Sequence, residues 1–398
     1  MRVTSAFCLL SAAFLSTTSL ARLPVARSLA VPHGDDLAVV TSGGIIRGTI
    51  NSATPLVRRF LDIPYAQPPI GQLRFAPPEP AKPFGEIDAT IFGPSCPQTL
   101  LKIPPNIYTE YVLQFNPQGS NETSTNLSED CLTLSVWAPT SRNGTKAPLP
   151  VIVFIFGGAF ARGGEDVPYQ IPAKWVQRTQ SHIMVTFNYR LNIFGFPNAA
   201  GIPTDKQNLG LLDQRLAVEW VRDNIAAFGG DPKRIALWGQ SAGGISAGQY
   251  QYAYAADPIA DAIMMDSGTE QLLSALISTE DTNHNNFTTV ATQFGCGGLG
   301  PKEELECMRG DNVSATAVEA FIQSYNDRLQ PPLLIFTPVL DNVTTFADFA
   351  GRPVANVVSF PPTPFLLLAP WLIFYHSLPS SEQRPTMEPL SCLSVRTE

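Results

Sequence analysis

Ser241 stands in Gly239-Gln240-Ser241-Ala242-Gly243, directly after the apolar run Ile235-Ala236-Leu237-Trp238 and before a small-residue stretch, Gly244 to Gly248. A strand, a tight turn and a helix start, in that order, lift a serine hydroxyl clear of a sheet so that it can attack a carbonyl carbon. Glycines are needed on both sides of such a turn, because a side chain at 239 or 243 would meet the neighbouring strand or helix. Five residues alone are a common pattern. A second element strengthens it: Phe156-Gly157-Gly158-Ala159-Phe160 follows the apolar run Val151-Ile152-Val153-Phe154-Ile155. A loop in that position donates main-chain N–H groups to the oxygen that becomes negative during acyl transfer, so Gly158 and Ala159, with Ala242, are the expected oxyanion donors. Alanine serves as well as glycine there, since the donor is the backbone.

The nucleophile needs a base to take its proton and an acid to orient that base, and behind such an elbow they follow in the order Ser, Asp/Glu, His. Only His284 and His376 come after Ser241. His284 lies in Asn283-His284-Asn285-Asn286, beside a glycan acceptor, and reads as a solvated loop. His376 lies in a final stretch rich in Ser and Pro, while His33 and His182 precede the serine. Asp266, Asp341 and Asp348 are downstream acids, and nothing in the sequence selects among them. The acid and the histidine therefore stay unassigned. Ser267, in Asp266-Ser267-Gly268, is at most a supporting residue behind the site or an ordinary turn residue.

The elements that must position Ser241 follow from hydrophobic periodicity. Buried strands are expected at 151–156, 183–187 and 235–238, and a half-exposed strand at 132–137, where apolar and polar residues alternate. A helix is expected over 209–228, with apolar residues at Leu212, Leu216, Val218, Val221, Ile225 and Phe228. Strands alternating with helices make a mostly parallel sheet covered on both faces, with active sites at the carboxyl ends of the strands. Val39-Val40 and Ile45-Ile46 around Gly43-Gly44 predict an antiparallel N-terminal edge. The segment from Ile63 to Phe84 holds seven prolines and is an irregular ordered loop or a linker.

Composition narrows the function. The chain has 398 residues and a net charge of -8, with no run of Lys or Arg, so a nucleic-acid surface is not expected. The partner is instead a small-molecule or lipid ester. Arg2, the apolar run from Ala6 to Leu15 and small residues at Ser19 and Ala21 predict a signal peptide over residues 1–21, with Ala30 a second possible end; the run is too short for a membrane span. Sequons at Asn121, Asn126, Asn143, Asn286, Asn312 and Asn342 fit a secreted glycoprotein. Cys8 would leave with the signal. Of the rest, Cys296 pairs with Cys307 across a short loop and Cys96 with Cys131, which leaves Cys392 alone. No Cys/His spacing fits zinc, and no cofactor is expected.

The chain resembles the type-B carboxylesterase and lipase family, which includes the cholinesterases, and secreted fungal lipase-like members in particular. The resemblance rests on Glu129 to Pro139, Phe156 to Phe160, Asn188-Tyr189-Arg190-Leu191, Asn208 to Gln214, Phe228 to Pro232 and the elbow at Ser241. It implies the α/β-hydrolase fold over residues 37–358, a deep substrate gorge and both disulfides. The tail 359–398 resembles nothing in the family. The expectation is thus a partial domain, incomplete at its C-terminus, from a truncated or misassembled reading of an esterase gene. Two functions fit: a carboxylic ester hydrolase working through an acyl-enzyme, lipase and simple esterase both open, or a non-catalytic esterase-like glycoprotein that binds a partner.

Overall fold

In the computed structural model, residues 34–100, 127–140, 147–272, 281–349, 351–354 and 358–360 are described. The central sheet grows from the apolar runs. Its strands are β3 (Thr49–Ile50), β4 (Val57–Pro64), β6 (Thr133–Pro139), β7 (Leu149–Ile155), β8 (Ile183–Phe187), β9 (Gly230–Gln240), β10 (Ala262–Asp266) and β11 (Val358–Phe360). They lie in the order β11-β10-β9-β7-β8-β6-β4-β3. From β11 to β8 neighbours run parallel, whereas β8–β6, β6–β4 and β4–β3 are antiparallel. Two short strands, β1 (Ala38–Val40) and β2 (Gly44–Arg47), pair antiparallel as expected. They do not edge the main sheet, however: β2 runs parallel with β5 (Gly85–Asp88), and the three form a separate sheet.

Parallel strands need helical crossovers, and right-handed crossovers that step in opposite directions put their helices on opposite faces. The step from β7 to β8 carries α1 (Ala173–Thr179), which packs on β4 and β6. The step from β9 to β10 goes the other way and carries α4 (Ala242–Ala253), which packs on β7, β9 and β10. Because β7 and β9 are neighbours whose connections depart in opposite directions, a crevice opens between their carboxyl ends, where such sheets bind ligands. Between β8 and β9 come α2 (Asn192–Gly195) and α3 (Leu209–Asn224), the latter continued by a 3-10 turn, Ile225–Phe228. The helix expected over 209–228 is this pair.

The expected alternation of β6 does not make it half-exposed: all seven of its residues are buried. The strand lies between β4 and β8, α1 covers one side, and its polar Thr133 meets a buried carboxyl rather than water. A polar residue in a strand thus marks a hydrogen bond here, not solvent. The proline-dense segment is an ordered loop, pinned by Arg74, whose guanidinium donates to Glu129 and to the carbonyls of Met308 and Val313. A second core joins α5 (Asn285–Gln293), α6 (Pro301–Met308) and α7 (Ala315–Asn326) around Phe287, Leu305 and Ile322. The disulfides Cys96–Cys131 and Cys296–Cys307 are both present. Among the described residues no helix is long and apolar enough to cross a membrane.

Candidate active site

Ser241 ends the longest strand, β9, at φ 54° and ψ -118°, a backbone conformation that a non-glycine residue holds only when its surroundings force it. The forcing groups are on either side. The Ser241 N–H donates to the Asp266 carbonyl at the end of β10 (2.8 Å), and its carbonyl accepts from Ile245 N–H (2.9 Å), which begins α4. A Cβ at Gly239 would run into the Gly243 carbonyl, and one at Gly243 into that of Ile155. The turn closes only because both are absent. Behind it, Gln214 on α3 donates to the Ser246 hydroxyl (3.1 Å), which donates in turn to the Ala242 carbonyl (3.0 Å) and steadies the first turn of α4.

The loop leaving β7 comes up against this elbow. A Cβ built on Gly157 would lie 2.9 Å from the Ser241 Cβ and 2.5 Å from the Gln240 carbonyl oxygen, so only a bare backbone fits between. Gly158, Ala159 and Phe160 follow with φ of 118°, 58° and 60°, a run of left-handed residues that turns the chain back on itself. Anchors hold the bend. Phe160 is buried edge-on against Phe196 (5.2 Å), its carbonyl accepts from Asn192 N–H (2.8 Å), and Tyr189 Oη donates to the Phe156 carbonyl (3.0 Å). Gly163, where the bend ends, exchanges two hydrogen bonds of 2.8 Å with the side-chain amide of Gln98. Among the described residues, the amides of Gly158, Ala159 and Ala242 donate to no protein acceptor.

The loop then dives under the sheet edge. Glu165 is 1% exposed, accepts from Thr133 Oγ1 (2.9 Å), and donates its main-chain N–H to Asn188 Oδ1 (2.8 Å). Burial pushes its carboxyl up to about 8, and burial likewise pushes the nearby Asp62 up to about 6. At the carboxyl end of β8, Asp213 on α3 takes two side-chain bonds from the Arg190 guanidinium (2.7 and 2.8 Å) and one from its N–H, fixing that strand's exit. The sequence does not single out Glu165, Gln98 or the partner of Arg190: each contact joins segments more than twenty residues apart, and no periodicity reports it.

The downstream groups lie elsewhere. His284 lies, as expected, in the loop that leads into α5, where its Nδ1 is 2.9 Å from the Asn198 carbonyl oxygen. His182 is buried on Trp175 (ring centroids 4.4 Å) with Nδ1 3.2 Å from Thr179 Oγ1, and burial lowers its pKa. Among the described residues no histidine hydrogen-bonds Ser241, while His33, His376 and Cys392 lie outside them. Asp266 Oδ2 accepts from Trp238 Nε1 (2.7 Å). Asp341 Oδ1 accepts from the N–H groups of Val343, Thr344 and Thr345 and ties its own loop. Asp348 and Ser267 are exposed.

A mixed, largely parallel sheet flanked by helices, with a serine elbow at the switch between β7 and β9, defines an α/β-hydrolase. The chain belongs to the carboxylesterase family, whose model matches residues 35–368. It is 47% identical over 329 residues to the chlorogenic acid esterase of Aspergillus niger, covering 82% of this chain and 61% of that protein. It is 42% identical over 336 residues to secreted lipase 5 of Gibberella zeae (82% of this chain, 62% of the relative) and 36% identical over 290 residues to mouse cholinesterase (71% and 46%). The chain thus spans about six-tenths of the length of the two fungal relatives.

Proposed function

We propose that this chain carries the nucleophile half of a serine carboxylic ester hydrolase. Ser241 Oγ bonds to the ester carbonyl carbon, the alcohol leaves with a proton, and water releases the acid from the resulting acyl-enzyme. The amides of Gly158, Ala159 and Ala242 hold the oxygen that becomes negative on the way. One observation carries the reading: a strained serine turn faces a backward-bent glycine loop, and among the described residues the amides of Gly158, Ala159 and Ala242 meet no protein acceptor. The site calls for no cofactor, since the hydroxyl and the main-chain dipoles supply the chemistry. The names of the fungal relatives support an ester of either a water-soluble or a lipid alcohol.

Export fits the same reading. Residues 1–21 serve as a signal peptide and the esterase-type domain expected over 37–358 extends further, since the family match reaches residue 368, with the divergent tail beyond it. Asn312 and Asn342 are exposed sequons, whereas the Asn286 side chain donates to the Ile335 carbonyl (3.0 Å) and is the poorest acceptor of the three described.

A fluorophosphonate serine probe tests the chemistry. Secreted, glycosylated protein should be labelled at Ser241, and Ser241→Ala should abolish the label. A well-folded product that takes up no probe would instead support the binding module. Turnover of p-nitrophenyl esters by this chain is expected to be poor, because no base is assigned.

A further inference from the structure

Two buried arginines and one half-buried one each rest on a carboxylate: Arg74 on Glu129, Arg190 on Asp213, and Arg215 on Glu219 and Asp257. Arg162, at the far end of the glycine loop, does not. Its side chain is only partly exposed, and among the described residues it makes no ion pair or hydrogen bond. Burial alone acts on the guanidinium and lowers its pKa, with no acid raising it. The stem is packed away while the guanidinium nitrogens still reach water, so a charged head waits beside the loop with no acid on it, in a chain of net charge -8 that does not lack acids to supply one. The next two acids along the chain are engaged elsewhere: Glu165 with Thr133, and Asp166 with the Ser95 hydroxyl (3.1 Å). Arg59, on β4, also lacks a carboxylate, but β4 lies at the antiparallel end of the sheet, away from the crevice.

Position gives Arg162 its meaning. Its backbone closes the bend, with its N–H on the Gly158 carbonyl (3.2 Å), and its Cγ would lie 3.0 Å from a Cβ on Gly158, so the aliphatic stem packs on the middle of the oxyanion loop. Through Gly157, that same loop touches the Ser241 Cβ. Chain dimensions then keep the Arg162 Cγ within about 13 Å of the Ser241 Cβ. Within that ceiling, the reach of the Arg162 side chain and that of an ester with its carbonyl at the serine overlap.

We propose that Arg162 binds a carboxylate carried by the substrate, so that the preferred esters are those with a free acid group a few bonds from the scissile carbonyl. The inference rests on Ser241 marking the ester subsite. A guanidinium is suited to this task because its fork of donors meets both oxygens of a carboxylate in one plane, and a half-buried site screens the pair weakly.

The test reads binding rather than turnover. Ser241→Ala protein is titrated with the monophenyl esters of succinic, glutaric and adipic acids and with the same esters capped as methyl esters. At least one anionic member should bind about tenfold tighter than its capped counterpart, less so as salt rises. Adding Arg162→Gln should erase the preference, and Arg162→Lys should keep part of it. Equal binding within every pair, or a preference that survives Arg162→Gln, would overturn the proposal. Since no hydrolysis is involved, failure of the serine probe and failure of the carboxylate preference are separate results.

Discussion

On the side of the sheet that carries α4, Ile235, Leu237, Ile263 and Met265 are buried, whereas one residue along each strand, on the α1 side, Ala236, Trp238, Ala262 and Met264 are half-exposed. The register makes the second side readable as a row. Ser135, Thr186, Phe154, Trp238 and Met264 are successive partners across β6, β8, β7, β9 and β10. At the β6 end the row is polar and closed, beneath Glu165 and its bond from Thr133. Toward β10 it is aromatic and open, with a cleft of about 310 Å³ lined by Phe154, Trp175, Met184 and Trp238. Trp175 and Trp238 meet edge to face there at 5.8 Å. A parallel sheet is stable when helices cover both faces. The α4 side therefore sets the stability of the hydrolase core, while the α1 side still has apolar surface to bury.

Neighbouring residues on β10 give the sharpest test of that contrast. Ile263→Ala should cost about 2–5 kcal/mol, because its side chain is fully enclosed and leaves a cavity. Denaturant midpoints at constant m-value would measure it. A loss no larger than that of Met264→Ala would remove the distinction between the faces.

The closed end of the row makes an opposite-signed prediction. Glu165 keeps its proton in the folded state up to about pH 8, while in the unfolded chain it gives the proton up near the usual glutamic acid value. The native state thus binds more protons between those two values, and stability falls as pH rises through that window. Glu165→Gln retains a partner for Thr133 without the charge. It should raise stability at pH 8 by roughly 1–3 kcal/mol and leave it little changed at pH 4, which parallel melts at the two pH values would show. The smallest effect is expected at Met264→Ala, below about 1.5 kcal/mol, since water already reaches that side chain. A larger cost would mean that something covers the α1 side in solution.

Features written in consecutive residues were legible in the sequence. The elbow at Ser241, the glycine loop after β7, the helix beginning at Leu209 and both disulfides follow from runs, turns and cysteine positions. Features that depend on distant pairing were not. Thr133 and Ser135 mimic the outer face of an exposed strand, and only the fold brings a buried carboxyl to Thr133. Val39 to Arg47 reads correctly as a hairpin, but its parallel partner, Gly85–Asp88, follows a proline-dense loop that carries no strand signal. Arg162 looks like any loop arginine until the positions of the surrounding acids are known.

The bond between Cys96 and Cys131 joins the residue two before Gln98 to the one two before Thr133. Gln98 is the clamp on Gly163, and Thr133 is the support under Glu165, so one covalent link braces both ends of the segment that follows the glycine bend. Reductants would be felt at the serine's threshold before they were felt in the core. Such a bridge persists where thiols are kept oxidised, so the chemistry of the surroundings bears on how firmly this loop is held.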